Sequence, residues 1–557
     1  MKIVIVGGVA GGAACATRLR RLDEKAEIVL FERGEFISFA NCGLPYFISG
    51  EIEDRDDLLV ATPAFMKKRY NLDVRTGQCV TRIEREKNRV EVRDVGNGRT
   101  YLESYDHLVL SPGAQPVRLP IPGMDLPTVC TLRTIPDADR IQQYIQTGAR
   151  SVLVFGAGFI ALEMAECLKK AGLSVSLAQR SSQVLSVLDP EMAMPVQKEL
   201  EKNGIALHLG NPVKEFRAHG NGVAALLTDG NCVEADFAVV ATGVQPEVDL
   251  ARDAGLTIGH GGGITVDSRM RTSDPRIFAI GDAVEIPHVV TGKPTVMAFA
   301  GPATKQARVV AEVIHGRDAE YKGSVNTFIL RTFDLAVGST GCSEKQLQWE
   351  QIPHRACHVH PSSHASYFPA ASAISIKLLF SPDGGRVLGA QVVGREGVDK
   401  RLDVFATAVT AKLSVFDLEG IDYAYAPPFG GAKDPVNVAA FVAANLLRGD
   451  VTESHWRQLA ESFDPGREQV IDVRTLAEFG KGSVPGAVNI PVDELRGRLG
   501  EVPRDRTVHV HCGVGLRSYI AARILQQNGF EVRNLSGGFM TYKNSGTAAR
   551  FAASSKT

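Results

Sequence analysis

One pattern occurs twice in this chain of 557 residues: a short apolar run, a glycine turn, a helical stretch and a second apolar run. The first copy has an apolar run at 2–6, then Gly7, Gly8, Gly11 and Gly12, a helical stretch at 13–22, and a run at 27–31 that ends in Glu32. A short run that is apolar throughout and rich in β-branched residues reads as a parallel strand buried on both faces. Glycines let the backbone approach a pyrophosphate, and the helix N-terminus behind them offers N–H groups and the positive end of a dipole. Glu32 lies at the distance expected of the carboxylate that meets a ribose, although Val9 stands where G-x-G-x-x-G has its middle glycine. The second copy has a run at 151–155, the turn Gly156-Ala157-Gly158-Phe159-Ile160-Ala161, a helical stretch to 170 and a run at 174–178. It ends in Gln179-Arg180 instead of an acid, and an arginine there can accept a 2′-phosphate, so NADH and NADPH both stay open. Two such units predict an α/β chain with two Rossmann-like dinucleotide-binding domains, one holding its dinucleotide tightly and one receiving a visitor.

Further turns fall between and after these units. Ser111-Pro112-Gly113-Ala114 and Ala241-Thr242-Gly243 each follow an apolar run, and 272–284 is a strand leading into Gly281-Asp282. In this order the chain resembles the two-dinucleotide pyridine nucleotide-disulfide oxidoreductase superfamily, over residues 1 to about 447. The resemblance implies FAD bound by Gly7, Gly12, Glu32 and Asp282, and NAD(P)H bound by Gly156, Gly158 and Arg180. Gly8, Gly11, Arg33, Ser111, Gly113, Glu163, Gly243 and Gly281 complete the expected cofactor-binding set. The expected domains are FAD-binding at 1–149 and 243–325, NAD(P)-binding at 150–242, and an α+β dimerisation domain at 326–448.

The stretch Ser38-Phe39-Ala40-Asn41-Cys42-Gly43-Leu44-Pro45-Tyr46 narrows the chemistry. Dithiol members place two cysteines in C-x4-C, but here position 47 is Phe47 and the next cysteine is Cys79. A reductase with one thiol must complete its redox couple with a substrate sulfur held as a mixed disulfide, or with a sulfenic acid on Cys42 itself. The first course makes a coenzyme A disulfide or persulfide reductase, and the second an NADH oxidase or peroxidase. The wording of the stretch is similar to the coenzyme A-disulfide reductase family. That resemblance implies an FAD-dependent NAD(P)H oxidoreductase acting on coenzyme A disulfide, coenzyme A persulfide or polysulfide. It also implies a coenzyme A channel lined by Ala14, Arg18, Arg21, Ser38 and Asn41, with the arginines on one helix face toward the phosphates. In the third region Tyr367 and Tyr425 match family tyrosines that reach the active sulfur, one of them from the partner subunit, and Lys433 matches a coenzyme A contact. A phenol can hydrogen-bond a thiolate and give a proton to a leaving thiolate. A homodimer follows from that reading.

After a short polar hinge a new pattern begins. Apolar runs at 470–473 and 507–511 precede Cys512-Gly513-Val514-Gly515-Leu516-Arg517-Ser518 and a helical stretch at 519–528. This resembles a rhodanese domain over 455–545, with Cys512 as the sulfur carrier and Arg517 closing the loop. Loop N–H groups and the helix N-terminus would stabilise a thiolate or a persulfide there. The spacing C-x4-R fits sulfurtransferases, whereas cysteine phosphatases use C-x5-R.

Composition closes off other classes. With 62 basic against 63 acidic residues the chain lacks the surplus that nucleic-acid binding needs. The nine cysteines are scattered and odd in number, and none forms C-x-x-C, which fits a reducing cytoplasm. The uncharged stretch 3–17 is too short to span a bilayer, so no membrane association is expected. The histidines are dispersed without ligand spacing, so no metal is expected.

Overall fold

A computed structural model of the protein describes residues 1–547. It forms two compact units: one holds Met1–Ser182 and Ile205–Ser324, the other Gln183–Gly204 and the described residues from Val325.

The first unit contains two parallel five-stranded sheets. In the first, the order is Ile277–Ala279, His107–Leu110, Lys2–Val6, Glu27–Glu32 and Asp73–Thr76. In the second it is Ala206–Leu209, Ser174–Gln179, Ser151–Phe155, Phe237–Val240 and Val129–Cys130. Ile3, Val4 and Ile5 are fully buried, as a strand covered on both faces requires. In each sheet the strand before the glycine turn pairs with the next strand on one side and a later strand on the other. The carboxyl ends of open α/β sheets part into a ligand-binding crevice at such a switch point. A two-stranded ribbon, Ala114–Pro116 against Val244–Pro246, brings the two predicted turns together. Across it the Val117 N–H donates to the Gly243 carbonyl and the Glu247 N–H to the Gly113 carbonyl, both at 3.0 Å.

The second unit holds an antiparallel sheet in the order Phe328–Thr332, Leu335–Gly341, Val387–Gly394, Ser375–Phe380, Arg355–Val359, covered by the helices Val398–Ala411 and Pro435–Arg448. The segment Gln183–Gly204, with its helix Pro190–Lys202, is compact with this unit. One polar knot fastens it there. The ammonium of Lys377 on the sheet is fully buried and lies 3.0 Å from Asp189, 2.5 Å from Glu191 and 2.6 Å from Glu344. Burial works against that charge, but the carboxylates outweigh it and hold the ammonium above its ordinary pKa. The carboxylate oxygens of Asp189, Glu191 and Glu344 lie within 4.8 Å of one another, and the Lys377 ammonium sits among them. Downstream lies a parallel sheet in the order Glu453–Ser454, Val532–Leu535, Thr507–His511, Glu468–Asp472, Val488–Asn489. Among the described residues no helix is long and apolar enough to cross a membrane.

Candidate functional site

At the carboxyl ends of the first sheet lies a cavity of about 590 Å³, lined by Gly7, Gly11, Glu32, Arg33, Asn41, Cys42, Ser111, Gly113, Gly281 and Asp282 among others. Its glycines are required by close approach. A Cβ on Gly7, whose φ is +94°, would lie 2.0 Å from the Ser111 carbonyl oxygen, and one on Gly12 would lie 1.8 Å from that of Gly7. Val9, the departure from the motif, has a negative φ of −87°, so the position does not use the left-handed region that favours glycine. Glu32 turns back on the turn: its carboxylate accepts from the N–H groups of Gly8 and Gly34, each at 2.8 Å. Arg33 forms a two-point ion pair with Glu247, at 2.5 and 2.8 Å. A glycine cradle that a Cβ would fill, a helix N-terminus and an oriented carboxylate fit the pyrophosphate and ribose of a dinucleotide.

Cys42 stands in a short turn, Asn41–Gly43, that feeds the helix Leu44–Ile48, and its side chain is exposed toward this cavity. The thiol is held above its ordinary pKa, first by the packing around it, then by the charge of Glu163; Arg133 opposes them and Asp282 adds to them. Arg133 is a residue that motif reading missed. Its Nη2 lies 3.2 Å from Asp282, and its carbonyl accepts from Asn41 at 3.3 Å. Glu163, expected among the cofactor residues, accepts a 3.4 Å hydrogen bond from the Tyr46 hydroxyl, and its charge also acts on the Cys42 thiol. Cys79 also lines the cavity, but its charged neighbour is Arg33.

The second glycine turn has Gly156 at φ +124°, where a Cβ would lie 2.3 Å from the Ala241 oxygen, and Gly158 at the N-cap of the helix Phe159–Lys170. Arg180 is exposed just past the strand end. Of the expected channel residues, Ala14 is half-buried on the helix Ala10–Leu22 and Ser38 has a left-handed φ of +45°. Arg18 is held by Glu312, with Nε at 3.0 Å, while Arg21 is exposed. Between them Arg20 turns inward, donating to the carbonyls of Tyr70, Asp23, Glu24 and Asn71.

In the second unit the hydroxyls of Tyr367 and Tyr425 lie 3.1 Å apart on exposed loops. The hydrogen bond to Tyr425 holds the Tyr367 phenol above its ordinary pKa. A buried ion pair fixes both loops. Arg401 pairs with Asp434 at 2.9 Å and donates to the Ser363 carbonyl at 2.9 Å, while the Ala365 N–H donates to the Gly430 carbonyl at 2.9 Å. Asp434 also caps the helix Pro435–Arg448, which leaves the preceding Lys433 exposed.

Cys512 is buried at the end of the strand Thr507–His511. The Gly515 N–H points at its sulfur from 3.1 Å and the Ser518 hydroxyl from 3.5 Å. The Phe539 N–H and the Met540 N–H hold the loop from behind by donating to the carbonyls of Cys512 and Gly513, at 2.7 and 3.0 Å. Arg517 forms a two-point ion pair with Glu478, both contacts at 2.7 Å. Trp456, another residue not foreseen, packs on Tyr542 and donates to the Gly538 carbonyl at 2.9 Å.

Three family models match the chain: pyridine nucleotide-disulphide oxidoreductase over residues 1–307, the dimerisation domain of that family over 329–434, and a rhodanese-like domain over 455–545. The chain is 36% identical to an NADH oxidase of Methanocaldococcus jannaschii, over 80% of this chain and 99% of that one. It is 34% identical to a coenzyme A disulfide reductase of Staphylococcus aureus, over 79% and 99%. Among solved structures it resembles reduced Bacillus anthracis CoADR-RHD, with 44% identity, a TM-score of 0.95 and 98% of each chain covered. It also resembles an NAD-dependent persulfide reductase from A. fulgidus, with 37% identity, a TM-score of 0.92, and 97% of this chain and 100% of that one covered.

Proposed function

Within the pyridine nucleotide-disulphide oxidoreductase family, to which this chain belongs, we propose that it reduces coenzyme A disulfide and coenzyme A persulfide through Cys42, with Cys512 carrying sulfane sulfur. The observation that carries this reading is the exposed Cys42 on the cavity wall, with Glu163, Asp282 and Arg133 acting on its thiol. The Cys42 thiolate attacks one sulfur of the disulfide, the S–S bond breaks, and one coenzyme A thiolate leaves with the bonding pair. With a persulfide, attack on the inner sulfur releases hydrosulfide. Either way Cys42 ends in a mixed disulfide with coenzyme A. FAD would be held by the turn from Gly7 to Gly12, by Glu32 and by Asp282, and would supply the two-electron relay from NAD(P)H needed to reduce that bond. The Tyr367–Tyr425 pair, acting within a homodimer, protonates the departing thiolate, and Lys433 and Arg21 meet the phosphates of coenzyme A. Support for the substrate comes from the coenzyme A disulfide and persulfide reductases that the chain resembles.

Replacement of Cys42 tests this. Cys42→Ser is expected to keep reduction of the flavin by NAD(P)H and to lose turnover of coenzyme A disulfide by about a thousandfold or more. Full turnover in the variant would end the assignment. The likeness to an NADH oxidase supports a second reading, in which Cys42 cycles through a sulfenic acid. An oxygen electrode separates the two: rapid NADH-dependent oxygen consumption without any coenzyme A substrate favours the second.

A further inference from the structure

A histidine closes the turn that carries Tyr367. Ser363 is the fixed end of that turn: its carbonyl accepts from Arg401 at 2.9 Å, its N–H donates to the Ser372 carbonyl at 2.7 Å, and its hydroxyl oxygen accepts from the Ser372 N–H at 3.2 Å. From Ala365 to Phe368 the chain turns tightly, with the Phe368 N–H donating to the Ala365 carbonyl at 2.9 Å and Tyr367 as the third residue. The imidazole of His364, only 6% exposed, spans this turn from one side to the other. Its Nδ1 lies 3.0 Å from the Ser363 hydroxyl and its Nε2 3.0 Å from the Pro369 carbonyl. A carbonyl only accepts, so Nε2 carries the proton and Nδ1 is left to accept from Ser363. The Phe368 ring stands edge-on to the imidazole at 5.7 Å, and the exposed Glu396 carboxylate lies 3.8 Å from Nδ1. Ala370, just past the turn, has φ +66°, a left-handed conformation that a residue with a side chain keeps only where its surroundings hold it. Tyr367 is 75% exposed, and among the described residues its hydroxyl has one hydrogen-bond partner, Tyr425. Where the phenol stands is therefore set by the turn beneath it.

We propose that His364 is a positioning residue for Tyr367: by closing this turn, its imidazole holds the phenol on Tyr425 in the geometry for proton transfer. This rests on the reading of Tyr367 as the acid. In that step the Tyr367 O–H bond breaks, its proton goes to the departing coenzyme A thiolate, and solvent returns a proton to the phenolate. No electrons pass through the tyrosines, and the imidazole neither gains nor loses a proton. It fixes where the hydroxyl stands. Proton transfer needs the donor within hydrogen-bond reach of the thiolate, and a displacement of about 1 Å can cost about a hundredfold.

The test follows steady-state reduction of coenzyme A disulfide by the full-length holoenzyme and its variants, with reduction of the flavin by NAD(P)H as the control for an intact fold. His364→Phe keeps an aromatic ring against Phe368 and removes both hydrogen bonds. Its kcat is expected to fall about tenfold, with KM for coenzyme A disulfide unchanged. His364→Gln, which offers an amide N–H in place of the Nε2–H, is expected to recover turnover to within about threefold of the unaltered protein. Because the ring acts through Tyr367, His364→Phe added to Tyr367→Phe is expected to cost nothing further. An unchanged kcat in His364→Phe, a loss carried by KM, no gain of His364→Gln over His364→Phe, or an undiminished loss on top of Tyr367→Phe overturns the proposal. If His364→Phe fails to fold, Ser363→Ala decides by the same measures. It removes only the partner of Nδ1, and its expected loss of about threefold must vanish in the Tyr367→Phe background. Full turnover in Tyr367→Phe alone overturns the acid reading itself, and the proposal with it.

Discussion

Cys42 sits in a turn on the wall of an open cavity, whereas Cys512 is buried under a loop that aims an N–H and a hydroxyl at its sulfur. Around Cys42 the charges are unequal: Glu163 and Asp282 push its thiol up and Arg133 pulls it down. Around Cys512 the charged groups stand in pairs, Arg517 with Glu478 and Arg474 with Asp472, and Arg517 also acts on the sulfur. A sulfur whose protonation must change during turnover gains from titratable neighbours that shift its balance. A sulfur that holds a persulfide between encounters gains from fixed dipoles, which stabilise an anion without changing charge themselves. On the proposed reading the two regions divide the work of breaking a sulfur bond and of storing a sulfur atom, so each should be open to separate damage.

The largest separation is expected from Asp472→Asn. Asp472 and Arg474 are buried beneath the Cys512 loop, and removing one partner leaves an uncompensated charge, which costs about 3–5 kcal/mol. Cys512 should lose its capacity to take up sulfur at a clearly lower temperature than the reductase loses coenzyme A disulfide turnover, with calorimetry reporting the unfolding. Loss of both activities at one temperature would show that the two regions melt together and would break the comparison.

A smaller effect is expected from the tyrosines. Tyr367→Phe and Tyr425→Phe should each lower coenzyme A disulfide turnover by about tenfold to a hundredfold, leaving sulfur loading of Cys512 unchanged. Because the two hydroxyls share one hydrogen bond, the double variant should be little worse than the poorer single one. Multiplying effects would show two independent phenols, and slower loading of Cys512 would mean that the division of labour is incomplete.

Local chemistry was legible in the sequence. The first strand, its glycine turn and Glu32 lie within one βαβ unit, and the turn's close approaches at Gly7 and Gly12 leave no room for another residue. Cys42 and Cys512 could each be read from the few residues beside them. What escaped was pairing across distance. Arg133 meets Asp282 from 149 positions away, Arg401 meets Asp434 from 33, and Arg517 meets Glu478 from 39, and none of these arginines stands in a motif that names its partner. Helical spacing set Arg18 and Arg21 on one face, but only the packing of the helix Ala300–Ile314 against theirs puts Glu312 on Arg18 and leaves Arg21 exposed. Both tyrosines were read as functional, yet their mutual hydrogen bond spans 58 positions and depends on a buried ion pair that periodicity does not reveal.

The finest test of the comparison lies in the charges around Cys42. Packing raises its thiol above the ordinary value, the Glu163 charge raises it further, and the Arg133 charge opposes both. A negative neighbour disfavours the thiolate and a positive one favours it. Glu163→Gln should therefore let the thiolate form at lower pH, and Arg133→Gln should delay it to higher pH. The measurement is the rate of Cys42 alkylation by iodoacetamide against pH in the reduced holoenzyme, where only the thiolate reacts. Opposite displacements of the two curves would confirm that unequal charges, and not packing alone, set this sulfur apart from Cys512. Displacements of the same sign, or two unmoved curves, would assign the raised thiol to packing and remove the electrostatic half of the contrast.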